Sequence, residues 1–229
     1  IKDGYIYLQI SRGAAPRHHA YDRSKLEPQM LMYIKNLDMD AIRKDEDGVK
    51  AICLPDERWL HVDIKTTNLI PNILAQTKAE KKFAYSAILF RDDICTEGAC
   101  SNVFVVKDEI CYTHPADNKI LKGITRQMIL TRVAPSIGVT VIEKEFDRAF
   151  VEDADELFFT DTIGGVIPIT KLERNVVGDG QVVDIVQTEN FLELQSNDSQ
   201  RIRIVALPGV QNTRNAVDVA QRQFVVLVF

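Results

Sequence analysis

The sequence of 229 residues has little of several features that mark whole classes of protein. Its four cysteines form no CxxC pair and are too few for a disulfide scaffold, so free thiols in a reducing compartment are expected. It has no excess of positive charge, because 28 Lys and Arg stand against 33 Asp and Glu, and a net charge of −5 gives no general attraction to nucleic acid or anionic membranes. It also has no apolar run near the roughly 18 residues of a spanning helix, and no secretory signal. We therefore expect a cytoplasmic protein that binds neither nucleic acid nor membranes.

What the sequence does have is the pattern of a mixed α/β (α+β) protein, with 45% hydrophobic residues and short β-prone runs between helical segments. The first residue is Ile1, directly before the β-prone run 5–10, so we expect an N-terminal portion to be missing. A charged run before Gly48 predicts a boundary near residue 40. The predicted organisation is the remainder of a small domain at 1–40, a linker at 41–48, a large domain at 49–195 and a C-terminal tail at 196–229.

Within the large domain the pattern predicts particular helices and strands. A helix is expected over 68–82, with Pro71 in its first turn, and another over 124–134, ended by Pro135 and Gly138. The predicted strands lie at 51–54, 83–90, 102–106, 110–113, 139–142 and 156–160. The two strands at 102–106 and 110–113 are close enough to form a hairpin.

Two ionisable residues stand where they could do chemistry. Lys65 lies where a strand-like alternation gives way to a helix start, and a shielded lysine there could act as an imine-forming nucleophile or could simply be an exposed strand-end lysine. Glu97 lies between two strands among small residues. Its carboxylate could hold a heterocyclic nitrogen protonated, or Glu97 could be an ordinary turn glutamate.

Two segments offer donors for an anion. Leu121–Arg126 runs from a loop into a helix, so free backbone N–H groups suit a phosphate there, although Thr125 could equally be a plain cap. Thr160–Gly165 could supply a second set of hydroxyl and amide donors or form only a tight turn. In the loop after the first strand, Arg17 and His19 could clamp a carboxylate or be solvated.

The four histidines give no ligand-like spacing for a metal ion. His18 and His19 are adjacent, and His61 and His114 stand far from them in the sequence. The sequence therefore predicts no metal site.

In order and spacing, four segments together resemble the class IV pyridoxal-phosphate transaminases: Asp63–Lys65, Glu97–Phe104, Tyr112–Pro115 and Leu121–Arg126. The loop Ser11–His19, with its Arg-x-His pattern, is most similar to the substrate loop of the D-amino-acid transaminases in that class. The resemblance covers about residues 4 to 182. It implies the two-domain class IV fold with an incomplete N-terminal domain, and transamination of D-amino acids with 2-oxo acids through a lysine Schiff base to pyridoxal 5'-phosphate.

The resemblance also implies a role for each matching residue. Lys65 would be the catalytic, cofactor-bound lysine and Glu97 the partner of the pyridine nitrogen. The other cofactor contacts would be Leu121 on the ring and Ile124, Thr125 and Thr162 at the phosphate. Substrate contacts would come from Tyr7, Arg17 and His19, the last two from the neighbouring subunit of a homodimer.

The sequence departs from the family at Asp161, where the family usually has a small or hydroxyl residue, and a carboxylate beside a phosphate is repulsive. The segment Thr162–Pro168 resembles that of the (R)-selective amine transaminases, which keeps that activity as an alternative. A second alternative is an inactive truncated fragment, since the family's closing helix is not followed after about Asp184.

Overall fold

A computed structural model describes residues 4–180, apart from Tyr21, Arg23 and Lys25, together with residues 224–228. The helices are α1 Met39–Glu46, α2 Ile70–Lys81, α3 Ile124–Met128, α4 Ala134–Ser136 and α5 Arg148–Glu152, with a π-helical segment Ile129–Val133 between α3 and α4. The strands are β1 Gly4–Ser11, β2 Gln29–Asn36, β3 Val49–Pro55, β4 Ser86–Arg91, β5 Ile94–Gly98, β6 Asn102–Lys107, β7 Ile110–Thr113, β8 Thr140–Glu143, β9 Glu156–Asp161, β10 Gly165–Leu172, β11 Asn175–Val176 and β12 Phe224–Val228. Among the described helices, none combines the length and apolar character needed to cross a membrane.

The described residues fall into two compact units, and the first contains residues 4–37 and β12. Its sheet has the order β12-β1-β2, with β12 parallel and β2 antiparallel to β1. Tyr7 and Tyr33 are cross-strand partners and their rings stack 4.7 Å apart. Except for β12, the predicted tail at 196–229 lies outside the described residues.

The second unit, residues 38–180 of the described chain, is built on a nine-stranded sheet. The strands follow the order β5-β4-β3-β10-β9-β6-β7-β8, and β11 pairs with β10. Parallel pairs join β3 to β4 and to β10, while most of the other pairs are antiparallel. The apolar alternation of these strands buries Leu157, Phe159 and Ile167 in one core cluster, and this mixed sheet with its helices confirms the predicted α/β (α+β) class.

The predicted linker and domain boundaries coincide only in part with these elements. Contacts divide the chain between Leu37 and Asp38, near the predicted boundary at residue 40. The segment 41–48, predicted as a linker, contributes most of helix α1. It ends at Gly48, whose φ of 98° is a conformation that glycine adopts readily and other residues rarely do. The boundaries themselves stay predictions.

The helix predicted at 68–82 is confirmed as α2, with Pro71 in its first turn. The helix predicted at 124–134 forms, but the expectation that Pro135 ends it is wrong. Pro135 lies inside α4, directly after the π-helical segment, because a wider π turn accommodates a residue that cannot donate an i to i−4 hydrogen bond. The chain leaves the helix before Gly138, which has a φ of 74°.

The structure corrects the start of one predicted strand and adds a strand that the sequence did not predict. The strand expected from residue 83 begins only at Ser86, because Phe83 is 93% exposed and has a φ of 54°. Glu97 was expected between strands, whereas it belongs to β5. The hairpin of β6 and β7 is confirmed, and Asp108 and Glu109 at its turn both have the positive φ that two-residue hairpins require.

Candidate active site

The carboxylate of Glu97 is buried at the centre of the site, with its side chain 6% exposed. Strand β5 carries it inward, and three donors converge on it. Arg58 donates from Nη1 to Oε1, while Asn102 Nδ2 and the backbone N–H of Leu121 donate to Oε2 at 2.8 and 3.0 Å. Burial raises the pKa of Glu97 to about 7, and the charge and hydrogen bond of Arg58 oppose that rise.

Behind Glu97, Arg58 joins two buried carboxylates. Its Nε and Nη2 donate to Asp56 at 2.8 and 2.9 Å, and the side chain of Asp56 has no exposed surface. Burial raises the pKa of Asp56, but the hydrogen bonds and charge of Arg58 outweigh burial and leave it below its usual value. Arg91 also lies 3.3 Å from Asp56, and Thr96 donates to it at 2.9 Å. The site therefore has a fixed, charge-balanced support.

Sequence reasoning missed this support. Asp56 and Arg58 follow the apolar strand β3 directly and precede Lys65 by a few residues. An acid and a base immediately after a buried strand were a usable signal, because strand ends carry polar groups to the edge of a sheet.

Lys65 lies in an irregular segment between β3 and α2. The expected strand before Lys65 is therefore wrong, whereas the expected helix after it is present. Its side chain keeps exposed surface, yet partial burial lowers its pKa. The negative charge of Glu97 opposes that lowering, which places its carboxylate within electrostatic reach of the ammonium. The structure thus brings Lys65 and Glu97, the two predicted chemical groups, into one site.

Helix α3 begins at this site. Gly123 is its N-cap, no side chain caps it, and the first N–H groups of a helix have no acceptor within the helix. Ile124 is 71% exposed at the start, whereas Thr125 is buried and donates from Oγ1 to the backbone oxygen of Asp161 at 2.8 Å. That bond joins α3 to the turn that carries Thr162, so both predicted donor segments meet.

The start of α3 is packed tightly against the support of Glu97. Asn102 donates from Nδ2 both to Glu97 and to the backbone oxygen of Leu121, at 2.8 Å each. A Cβ on Gly123 would lie 2.1 Å from Oδ1 of Asn102. Glycine is required there because the loop backbone and the Asn102 amide touch.

The predicted substrate residues belong to the other unit. Tyr7 lies on β1 and donates from its hydroxyl to Gln9 at 2.8 Å. Arg17 and His19 are exposed in the loop after β1. Their substrate roles stay predictions.

A cluster that the sequence did not indicate surrounds His114, which is 1% exposed. With Asp117 and Glu145 it offers ligand atoms within 4.8 Å of one another, the one such metal-compatible group in the described part of the chain. The ammonium of Lys119 forms an ion pair with Glu145 and lies 3.9 Å from Asp117, so a cation of the protein already balances both acids. The expectation of no metal site stays a prediction.

Comparison with known proteins gives this arrangement a family. The family model described as "Amino-transferase class IV" matches residues 1–172. The D-alanine aminotransferase of Staphylococcus epidermidis is 42% identical over 187 residues, which are 82% of this chain and 66% of that protein. The D-alanine aminotransferase of Bacillus licheniformis is 40% identical over 179 residues, 78% of this chain and 62% of that protein.

A solved structure agrees with these relatives at the level of the fold. The branched-chain aminotransferase from Thermoproteus uzoniensis superimposes with a TM-score of 0.65 at 24% identity, over 77% of this chain and 59% of that one. The chain thus spans about two thirds or less of the length of these relatives.

Proposed function

The chain belongs to the class IV aminotransferases, and on that basis we propose that it transfers an amino group between a D-amino acid and a 2-oxo acid, with pyridoxal 5'-phosphate as cofactor. The observation that carries the proposal is that the buried carboxylate of Glu97 lies within electrostatic reach of Lys65. The identity to D-alanine aminotransferases, 42% and 40% over most of this chain, supports the choice of D-amino acids.

Lys65 would be the nucleophile and the proton carrier. When bound, pyridoxal phosphate supplies an aldehyde that a primary amine can attack and a ring that accepts an electron pair from the substrate carbon. An amine attacks only in its neutral form, and partial burial, which lowers the pKa of Lys65, increases the neutral fraction near neutral pH. Once released, the same Nζ can take the proton from the substrate carbon and deliver it elsewhere.

Glu97 fits the ring nitrogen of such a cofactor. An ionised carboxylate has about four lone-pair sites, and the three donors on Glu97 leave capacity for one more. A protonated ring nitrogen would be that donor, and its positive charge would lower the pKa of Glu97 from about 7. Glu97 would therefore hold the proton at the ring nitrogen, while Arg58 keeps its carboxylate in place.

The remaining predicted contacts complete the cofactor site. Backbone N–H groups at Ile124 and Thr125 would hold the phosphate, with the hydroxyl of Thr162 nearby, and Leu121 would pack on the ring. Arg17 and His19, contributed by the neighbouring subunit, would bind the substrate carboxylate, since arginine offers a planar pair of donors and histidine a further one, and Tyr7 would line the same pocket.

The test measures amino transfer from D-alanine to a 2-oxo acid by the purified chain with added pyridoxal phosphate. We expect turnover that Lys65→Ala abolishes and that Lys81→Ala, a change at the end of α2, leaves intact. L-alanine should be a poor substrate.

Three outcomes would contradict the proposal in distinct ways. Turnover of an amine without a carboxylate, and none of D-alanine, would favour the (R)-selective amine transaminase. Cofactor binding without turnover of any donor would favour an inactive fragment. Equal activity of Lys65→Ala and the unchanged chain would remove Lys65 from the chemistry.

A homodimer is the proposed assembly. Residues 59–74 of the second unit contain seven exposed large apolar side chains: Trp59, Leu60, Ile64, Leu69, Ile70, Ile73 and Leu74. Such an exposed apolar surface is typical of an interface. Light scattering should give twice the monomer mass for the unchanged chain and a lower mass for Ile73→Asp, whereas Ile142→Asp, on strand β8, should remain dimeric.

A cytoplasmic location is also proposed. The support is that Cys53, Cys95, Cys100 and Cys111 are all free thiols, as expected in a reducing compartment. Fractionation of cells that express the chain would test the location.

A further inference from the structure

Asp161 occupies two amide donors of Thr160–Gly165, the second of the two predicted anion-binding segments. Its Oδ1 accepts the backbone N–H groups of Ile163 and Gly164 at 2.8 and 2.6 Å. These amides belong to the turn between β9 and β10, and the backbone oxygen of Asp161 accepts the Thr125 hydroxyl from α3 at 2.8 Å. The carboxylate therefore lies where the two donor segments meet, and it holds the turn in the way that an anion would.

A carboxylate and a phosphate compete at such a place in two ways. Both need the same N–H groups, since each is an acceptor when ionised. Both are also negative, and two negative charges in a partly buried site repel each other. A protonated carboxyl group removes the charge repulsion and weakens the competition for donors, because a neutral acceptor holds the amides less strongly and its O–H can donate to a phosphate oxygen.

We propose that Asp161 couples phosphate binding to the uptake of one proton, so that the neutral acid accepts the cofactor phosphate and the ionised carboxylate excludes it. This inference rests on the proposed function, because it takes the phosphate to belong to pyridoxal phosphate. Asp161 would then determine specificity, because the preference of the site for pyridoxal phosphate over pyridoxal would weaken as the pH rises.

The surroundings of Asp161 favour the neutral acid. Burial raises its pKa, and the two amide bonds only partly oppose the rise. Three neighbours feel its charge: Asp45 on α1, Tyr85 before β4 and Cys100 after β5, and the pKa of each is raised in part by Asp161. Asp45 contributes a further negative charge, and Lys65 and Arg58 are the cations that act on the neighbouring Cys100. Tyr85 and Cys100 stay neutral near pH 7.

The test compares the unchanged chain with Asp161→Asn, whose amide oxygen can still accept both turn N–H groups and so preserves the fold. The dissociation constant of pyridoxal phosphate is measured from pH 5.5 to 8.5 for both proteins, and that of pyridoxal, which has no phosphate, serves as the matched ligand control. The difference between the two proteins at each pH cancels the titration of Lys65 and of the cofactor.

For pyridoxal phosphate we expect tighter binding by Asp161→Asn, with the smallest difference in affinity between the two proteins at the lowest pH and a growing difference as the pH rises. Above the pKa of Asp161 the gap should widen by up to about tenfold for each pH unit. Calorimetry in buffers of different ionisation enthalpy should show about one more proton taken up by the unchanged chain. Pyridoxal should bind both proteins equally at every pH.

The failures are distinguishable. Equal pyridoxal phosphate affinities across the pH range, or an equal effect on pyridoxal, would overturn the role of Asp161 and leave the proposed function standing. No binding of either compound by either protein would overturn the proposed function together with this inference.

Discussion

Removing the positive charge between Asp56 and Glu97 should be severely destabilising. In Arg58→Met the stem of the side chain is largely retained, but both carboxylates lose their main cation while their side chains are 0% and 6% exposed. Breaking a buried ion pair from one side costs about 3–5 kcal/mol, because the remaining charge is left uncompensated. For a chain of this size, about 2–4 °C is lost per kcal/mol, so the melting temperature should fall by roughly 6–20 °C.

The second variant separates charge from packing. Asp56 keeps Arg91 at 3.3 Å, so Glu97 is the carboxylate that loses its directly hydrogen-bonded cation. Adding Glu97→Gln to Arg58→Met should therefore recover stability. The double variant should lose about 0.5–3 kcal/mol less free energy of unfolding than the sum of the losses in the two single variants.

Urea unfolding at pH 8.5 and pH 5.5 measures these differences. The deficit of Arg58→Met should be smaller at pH 5.5, where Glu97 can bind a proton. A loss below about 1 kcal/mol at pH 8.5, or strict additivity in the double variant, would refute the view that Arg58 balances the charge of Glu97.

Three further predictions concern the same unit. The pKa of Glu97 is about 7 in the folded state against an ordinary 4.5, so the folded state binds a proton that the unfolded state has already lost. The stability that comes from this proton is complete below pH 4.5 and is lost as the pH rises toward 7. Urea unfolding at a series of pH values should show that the free energy of unfolding depends less on pH in Glu97→Gln than in the unchanged chain. Gly123→Ala should cost about 1–3 kcal/mol, since the methyl would lie 2.1 Å from Asn102 Oδ1, and Asn102→Ala in the same chain should make its added cost smaller. Asp147→Ala should cost about 0.5–2 kcal/mol in thermal unfolding, because Asp147 caps α5 by accepting the N–H of Phe150 at 2.8 Å, whereas Asp147→Asn should cost much less.

The sequence predicted the site better than it predicted the environment of the site. Lys65, Glu97 and the loop before α3 were identified by motif, and the structure brings them together in one unit. A motif identifies residues whose side-chain chemistry the reaction itself requires. It does not report an oppositely charged partner such as Arg58, whose importance arises only when the segment after β3 folds against the side chain of Glu97 on β5.

Errors in the fold have a similar origin. Pro135 was taken as a helix end because local rules treat proline as a stop, whereas a π-helical segment accommodates it. Strand β5 was missed because its five residues include a glutamate and a glycine, which are depleted in strands, and antiparallel pairing with β4 outweighs their weak local preference. Long-range packing decided both cases.

The most direct test of the central claim is to locate the residue that carries the cofactor. The purified chain is incubated with pyridoxal phosphate, reduced with borohydride, digested and analysed by mass spectrometry. A single label on Lys65, absent when Lys65 is replaced by alanine, is the predicted result. A label spread over surface lysines such as Lys78 and Lys81, or unchanged in Lys65→Ala, would contradict the assignment of this site.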